Sequence, residues 1–175
     1  MKRDILIVVD MQNDFIDGAL GTPEAVAIVD RVRQRIEAFA GEVYFTRDTH
    51  TPDYAETREG RHLPVPHCIR GTHGWEICDA LLPYTVGATV IDKPTFGSVE
   101  LQGLLSGQGE GTIGSITLIG LCTDICVISN AMLLKAAFPE AELTVDAACC
   151  AGVTPRSHQN ALDAMRMCQI NIENA

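Results

Sequence analysis

The residue best placed for covalent chemistry is Cys126, inside the stretch SITLIGLCTDICVISNAMLL at 115–134. Ile116 to Ile119 form a short β-branched and apolar run that reads as a fully buried strand, and Gly120 breaks it. Thr123 and Asp124 then offer side-chain oxygens as helix caps, and a long apolar pattern follows from Ile125. Cys126 therefore falls in a helix's first turn, where unpaired N–H groups and the positive end of the helix dipole favour a thiolate. A nucleophilic thiol also needs a base and a partner for its charge. Asp10 and Lys93 follow two other apolar runs, DILIVV at 4–9 and ATVID at 88–92. The carboxylate would take the thiol proton and the ammonium would hold both negative charges in place. Singly, a loop-capping aspartate and a solvated lysine are commonplace; three such groups at separate strand ends form a more specific set.

A second group comprises Asp48, His50, Glu59, His62 and His67. Asp-x-His on one extended stretch points both side chains the same way, at the reach of metal ligands. Carboxylate and imidazole donors suit zinc, iron or manganese, with water completing the shell. The competing explanation is a polar loop with solvated histidines. His73 and His158 are read as ordinary solvated or packed histidines, and Trp75 as a packing residue. The seven cysteines contain no CxxC pair. Cys78, Cys149, Cys150 and Cys168 read as small buried apolar residues, as does Cys68 beside His67.

These residues must be carried by a sheet. The apolar runs predict strands at 4–9, 42–46, 88–92, 116–119 and 142–147, with a short last one at 169–172. Helices are predicted at 23–40 (opened by Pro23 and ended by Gly41), 76–82, 98–105, from Ile125 to Pro139, and at 155–167. Residues 49–75 form a long Pro-, His- and Gly-rich segment, which in a compact domain is usually functional, and residues 103–114 a glycine-rich flexible connection. Near-continuous apolar strands alternating with helices imply an α/β fold with a parallel sheet and right-handed crossovers. Ligands of such sheets bind beyond the strands' carboxyl ends, where the strand order reverses. Asp10, Asp48, Lys93 and Cys126 all fall there.

The 175 residues predict a single domain spanning 1–175, with 46% hydrophobic and 21% charged residues and a formal charge of −10. That acidity argues against nucleic acid or an anionic membrane as partner. No apolar run reaches the length of a signal-peptide core or a membrane span, so a cytoplasmic location is expected, where thiols stay reduced. No GxGxxG or Walker-type motif is present.

The motifs VDMQNDF at 9–15, Asp48-Thr49-His50, PHCIRGTHGWE at 66–76, DKPTFGS at 92–98 and GLCTDICV at 120–127 together resemble the isochorismatase-like cysteine hydrolases, most of all their nicotinamidase branch. The resemblance runs from the first strand through the fifth. It implies a three-layer α/β/α fold with a six-stranded parallel sheet in the order 3-2-1-4-5-6, and homo-oligomers in most members. It implies a catalytic triad of Asp10, Lys93 and Cys126, and a cis peptide at Leu121-Cys122. The backbone N–H groups of Cys122 and Cys126 would then face an oxyanion. Asp48, His50 and His67 match the family's metal ligands; Glu59 is the better fourth candidate and His62 the second choice, with zinc as the expected ion and iron or manganese as alternatives. Members that hydrolyse isochorismate lack this metal site, so its retention favours an amidase. Phe15 matches the aromatic that flanks the substrate ring. A second aromatic, expected shortly before His67, is replaced by Leu63-Pro64-Val65. The implied reaction is nicotinamide plus water to nicotinate and ammonia through a thioester. The alternatives are another small amide, ureide or isochorismate-type substrate, or a non-catalytic thiol sensor on the same scaffold.

Overall fold

In the computed structural model, which describes residues 2–107 and 111–175, the apolar runs line up as one sheet. Its strands are β1 (Arg3–Val9), β2 (Glu42–Asp48), β3 (Thr89–Lys93), β4 (Ile113–Leu121), β5 (Glu142–Ala151) and β6 (Asn171–Glu173). All five neighbouring pairs are parallel, in the order β3-β2-β1-β4-β5-β6. The predicted six-stranded order is therefore the observed one. The helices are α1 (Asn13–Ile16), α2 (Pro23–Glu37), α3 (Arg58–His62), α4 (Val99–Ser106), α5 (Ile128–Ala137) and α6 (Pro155–Met167). No helix among the described residues is long and apolar enough to cross a membrane.

The run ILIVV of β1 is buried throughout because the sheet is covered on both faces. Alternation then assigns its side chains to two cores. Ile5, Ile7 and Val9 pack with Leu101, Leu105, Ala131, Leu134, Leu162 and Met165 of α4, α5 and α6. Leu6 and Val8 pack on the other face with Ala25, Ile28, Val32 and Ile36 of α2. The sheet is the middle of three layers.

Several boundaries differ from the sequence reading. The 76–82 segment is not a helix: Ile77 pairs with Gln12 in an isolated antiparallel bridge, and single 3₁₀ turns form instead at His73–Trp75 and Leu82–Thr85. β2 and β3 run further than expected because Arg47 pairs with Asp92 and Asp48 with Lys93. Asp48 and Lys93 are thus strand residues rather than loop residues. β5 continues to Ala151 because a bulge lets Cys150 and Ala151 pair with Gly120 and Leu121. Cys149 and Cys150 are buried as expected, one in each core, whereas Cys168 at the end of α6 is exposed. In the glycine-rich connection, Gly103 lies inside α4, and residues 108–110 fall outside the described residues.

Gly120 is the backbone hinge between β4 and the turn that follows. Its φ is +112°, and a Cβ there would stand 2.1 Å from the Val9 carbonyl oxygen. No side chain fits both constraints. Gly120→Ala should destabilise the protein by roughly 3 kcal/mol, read from urea unfolding. Gly103→Ala, at a helical site with open space, should instead gain about 0.5–1 kcal/mol.

Candidate active site

The carboxyl ends of β1, β3 and β4 converge where strand order reverses. Asp10 follows β1 with φ +47°, a left-handed conformation that aspartate tolerates better than most residues. Thr46 of β2 donates its hydroxyl to Asp10 Oδ1 at 2.6 Å. Lys93 Nζ lies 2.7 Å from Asp10 Oδ2, 3.4 Å from Cys126 Sγ and 3.3 Å from Asp48 Oδ1. The three predicted residues meet, and all are buried.

Their electrostatics correct the expectation of a resting thiolate. Burial raises the Cys126 thiol well above its ordinary pKa, Asp10 raises it further, and Lys93 only partly offsets this. Burial also raises Asp10, against the pull of Lys93. Lys93 itself is held protonated, because Asp10, Cys126 and Asp48 outweigh its desolvation. The carboxylate stands nearer the ammonium than the sulfur does, so it takes the negative charge and Cys126 rests as a thiol. The helix-start argument fails locally too: Thr123–Val127 is a π-helical turn with no side-chain cap. Thr123 bonds His158 instead, and Asp124 accepts from the Val153 N–H. The Leu121–Cys122 peptide is cis, as the resemblance implied.

The second group also assembles. Asp48 at the end of β2, His50 two residues on, Glu59 of α3 and His67 present ligand atoms within 4.8 Å of one another. Asp48 Oδ2 lies 3.0 Å from His50 Nε2 and 3.6 Å from His67 Nε2, while Glu59 Oε1 lies 3.6 and 3.8 Å from the same nitrogens. Ligands at about 2.1 Å from a tetrahedral ion stand about 3.4 Å apart, so the set fits a divalent metal. His67 Nδ1 faces the Val65 carbonyl at 2.8 Å, which orients its Nε2 toward the other donors. His62, the second choice, is exposed and turns its Nδ1 to the Arg58 carbonyl. Burial would raise the Asp48 pKa, but hydrogen bonds to His50 and His67 and the charge of Lys93 hold it well below the usual range. Burial raises Glu59. Burial alone would lower His67, yet its bond to Asp48 and the nearby carboxylates raise it.

A cavity of about 230 Å³ joins the two groups. Asp48, Glu59, His67, Cys122 and Cys126 contribute to its wall, and Phe15, Leu20, Leu63, Phe96 and Ile125 make it apolar. The Phe15 ring lines this cavity and stands 5.5 Å from His67. Past His62 and Phe96 it adjoins an outer cleft of about 460 Å³ that includes Arg58.

Three supporting residues escaped the sequence reading. Gln12 clamps the backbone of Asp48, accepting from its N–H at 2.7 Å and donating to its carbonyl at 2.8 Å. Tyr54 is buried against His50 and His67, at 4.7 and 5.0 Å between ring centroids. Asn130 accepts from the Ser98 N–H and donates to the Cys126 carbonyl. Gln12 sits in a motif quoted for Asp10 and Phe15, and that proximity was the available signal; Tyr54 and Asn130 carry none.

Comparison with known proteins agrees with this geometry. A family model described as the isochorismatase domain matches residues 4–174, so the chain belongs to the isochorismatase family. Within that superfamily it lies on the nicotinamidase branch. The nicotinamidase/pyrazinamidase PncA of Bacillus subtilis superposes with a TM-score of 0.85 at 28% identity, covering 99% of this chain and 100% of that one. The pyrazinamidase of Pyrococcus horikoshii, solved in complex with zinc, gives 0.79 at 28% identity over 97% and 98% of the two chains. The N-carbamoylsarcosine amidase of Thermoplasma acidophilum gives 0.80 at 31% identity over 99% and 96%.

The metal cluster generates a pH dependence. A histidine binds metal only without its proton, and the His67 pKa is raised above its ordinary 6.5. A divalent metal would have to displace that proton, so affinity for added zinc should be highest above the raised pKa and fall as pH drops through it. Competition titrations between about pH 8 and about pH 5.5 check this, and a flat affinity would contradict the assignment of His67 as a ligand.

Proposed function

We propose that this chain is an amidohydrolase with Cys126 as its nucleophile, and that its substrate is nicotinamide. The observation that carries the reading is the contact of Lys93 with both Asp10 and Cys126, beside an apolar cavity that also reaches the histidine–carboxylate cluster. Asp10 accepts the thiol proton as Sγ attacks the carboxamide carbon, so no free thiolate has to persist in the buried site. Lys93 balances the charge that passes from Asp10 to the substrate. The backbone N–H groups of Cys122 and Cys126 receive the developing oxyanion. Asp10 returns its proton to the departing ammonia as the C–N bond breaks, leaving a thioester on Cys126. Water, deprotonated by Asp10, adds to the thioester carbon, and the acid leaves as Sγ regains a proton. Phe15 packs on the ring and fixes its plane.

Asp48, His50, Glu59 and His67 would hold the divalent metal, with zinc first among the ions that suit such donors and iron or manganese as alternatives. When bound, it would supply a Lewis-acidic contact for a ring nitrogen of the substrate.

A second reading, a hydrolase of carboxylate-bearing ureides, is favoured by one observation. Arg58 lines the outer cleft together with Phe96, and an arginine there could pair with a carboxylate arm. The relation to an N-carbamoylsarcosine amidase supports the same alternative.

Cys126→Ala should lower kcat for ammonia release by about 10⁴-fold or more while leaving the unfolding midpoint close to wild type. Rapid quench of wild type should show an acyl adduct on Cys126; full activity in the variant would end the nucleophile assignment. Dialysis against chelator should lower activity, and zinc, iron or manganese should restore it, whereas a fully active metal-free preparation would remove the metal from the reaction. A panel of nicotinamide, other small amides and N-carbamoyl acids separates the two substrate classes, and Arg58→Ala should weaken turnover of the ureides alone.

A further inference from the structure

The turn carrying both oxyanion donors has no side-chain cap of its own at its Cys122 end. Its Cys126 end is held from one side by Asn130, which donates to the Cys126 carbonyl at 2.8 Å and accepts from Ser98 of the β3–α4 loop at 2.9 Å. The other end is held from the opposite flank by the start of α6. His158 Nδ1 lies 2.8 Å from the hydroxyl of Thr123, a residue with no exposed surface that directly follows Cys122. The Val153 N–H donates to both carboxylate oxygens of Asp124 at 3.2 and 3.1 Å.

The start of α6 is itself stiff. Pro155 fixes its first residue, and Thr154 and Ser157 form a capping box. Gly152 lets this rigid end approach closely, since a Cβ there would come within 2.9 Å of the His158 backbone nitrogen. Nothing in the reaction described above uses His158, Thr123 or Asp124.

We infer that His158 is a positioning residue of the reaction: through Thr123 it fixes the Cys122–Val127 turn, and so aims the N–H groups of Cys122 and Cys126. The inference rests on the reading of Cys126 as nucleophile. Thr123 is shut away from the cavity, so His158 acts on the turn and not on the substrate. Its loss should therefore fall on the transition state, where the oxyanion forms, and leave ground-state binding alone.

His158→Ala should lower kcat for amide hydrolysis by about 10- to 100-fold with KM changed by less than about twofold, since misplacement of reacting groups by an ångström costs about that much. His158→Asn, whose amide lies near the position of Nδ1, should recover most of the loss, and His158→Gln should not. Thr123→Val should match His158→Ala, and the double variant should lose little more, because the two act as one contact. Zinc affinity should stay at the wild-type value in every variant. Unchanged kcat in His158→Ala, a loss confined to KM, or equal recovery by Asn and Gln would each overturn the inference. Wild-type protein that releases ammonia from none of the amides would instead refute the functional reading. In that case amide hydrogen exchange decides: His158→Ala should speed exchange at Cys122–Val127 by about tenfold and leave β1 protected, and unchanged exchange overturns the inference.

Discussion

One buried ammonium governs the functional edge of this protein. Lys93 is 1% exposed and stands among Asp10, Asp48 and the Cys126 sulfur. Without it, two carboxylates would be buried side by side in a medium that tolerates neither charge. With it, the carboxylates stay ionised to different degrees: Asp48 is held low by its histidines and Lys93, and Asp10 is left raised by burial. A carboxylate whose pKa is held low and one whose pKa is raised thus share one cation. Asp10, Lys93 and Cys126 form one electrostatic unit with the carboxylate–histidine cluster at Asp48.

Sheet topology makes that unit possible. The order β3-β2-β1-β4-β5-β6 sends the chain away from β1 in both directions, leaving a crevice at the carboxyl ends of β1 and β4. Asp10 leaves β1 there and Cys126 follows β4 by one turn, while the register of Asp48 with Lys93 supplies the neighbouring pair. Both apolar cores close below this edge. The polar groups are therefore carried by strands whose burial is settled elsewhere, and the site can accept the cost of its own buried charges.

Continuous apolar strands made the sheet legible, because burial on both faces leaves no polar interruption to misplace. Asp10 and Lys93 stood out for a related reason, each following an apolar run, and Cys126 because it comes shortly after another. Boundaries set by pairing were not legible. Asp48 and Lys93 look like loop residues until their mutual register is known, and β5 passes its expected end only because a bulge realigns Cys150 with Gly120. The 76–82 segment has helical spacing, but its Ile77 is committed to a bridge with Gln12. Glu59 and His62 lie on the same short helix, and only the side each faces decides which joins the cluster with Asp48, His50 and His67.

The thiol shows where a local rule yields to its surroundings. A cysteine near a helix start is expected to ionise readily, yet here burial and Asp10 act against the charge and the first turn is not a regular α-helical one. A thiolate held in advance would have to compete with Asp10 for the same ammonium, and the carboxylate is closer. The arrangement suits the proposed step, in which the thiol proton passes to Asp10 during attack and the negative charge moves outward onto the substrate. In that step the N–H groups that meet the charge must be placed in advance. On that reading the residues bracing the turn from both flanks, Asn130 on one side and His158 with Asp124 on the other, support the groups that react.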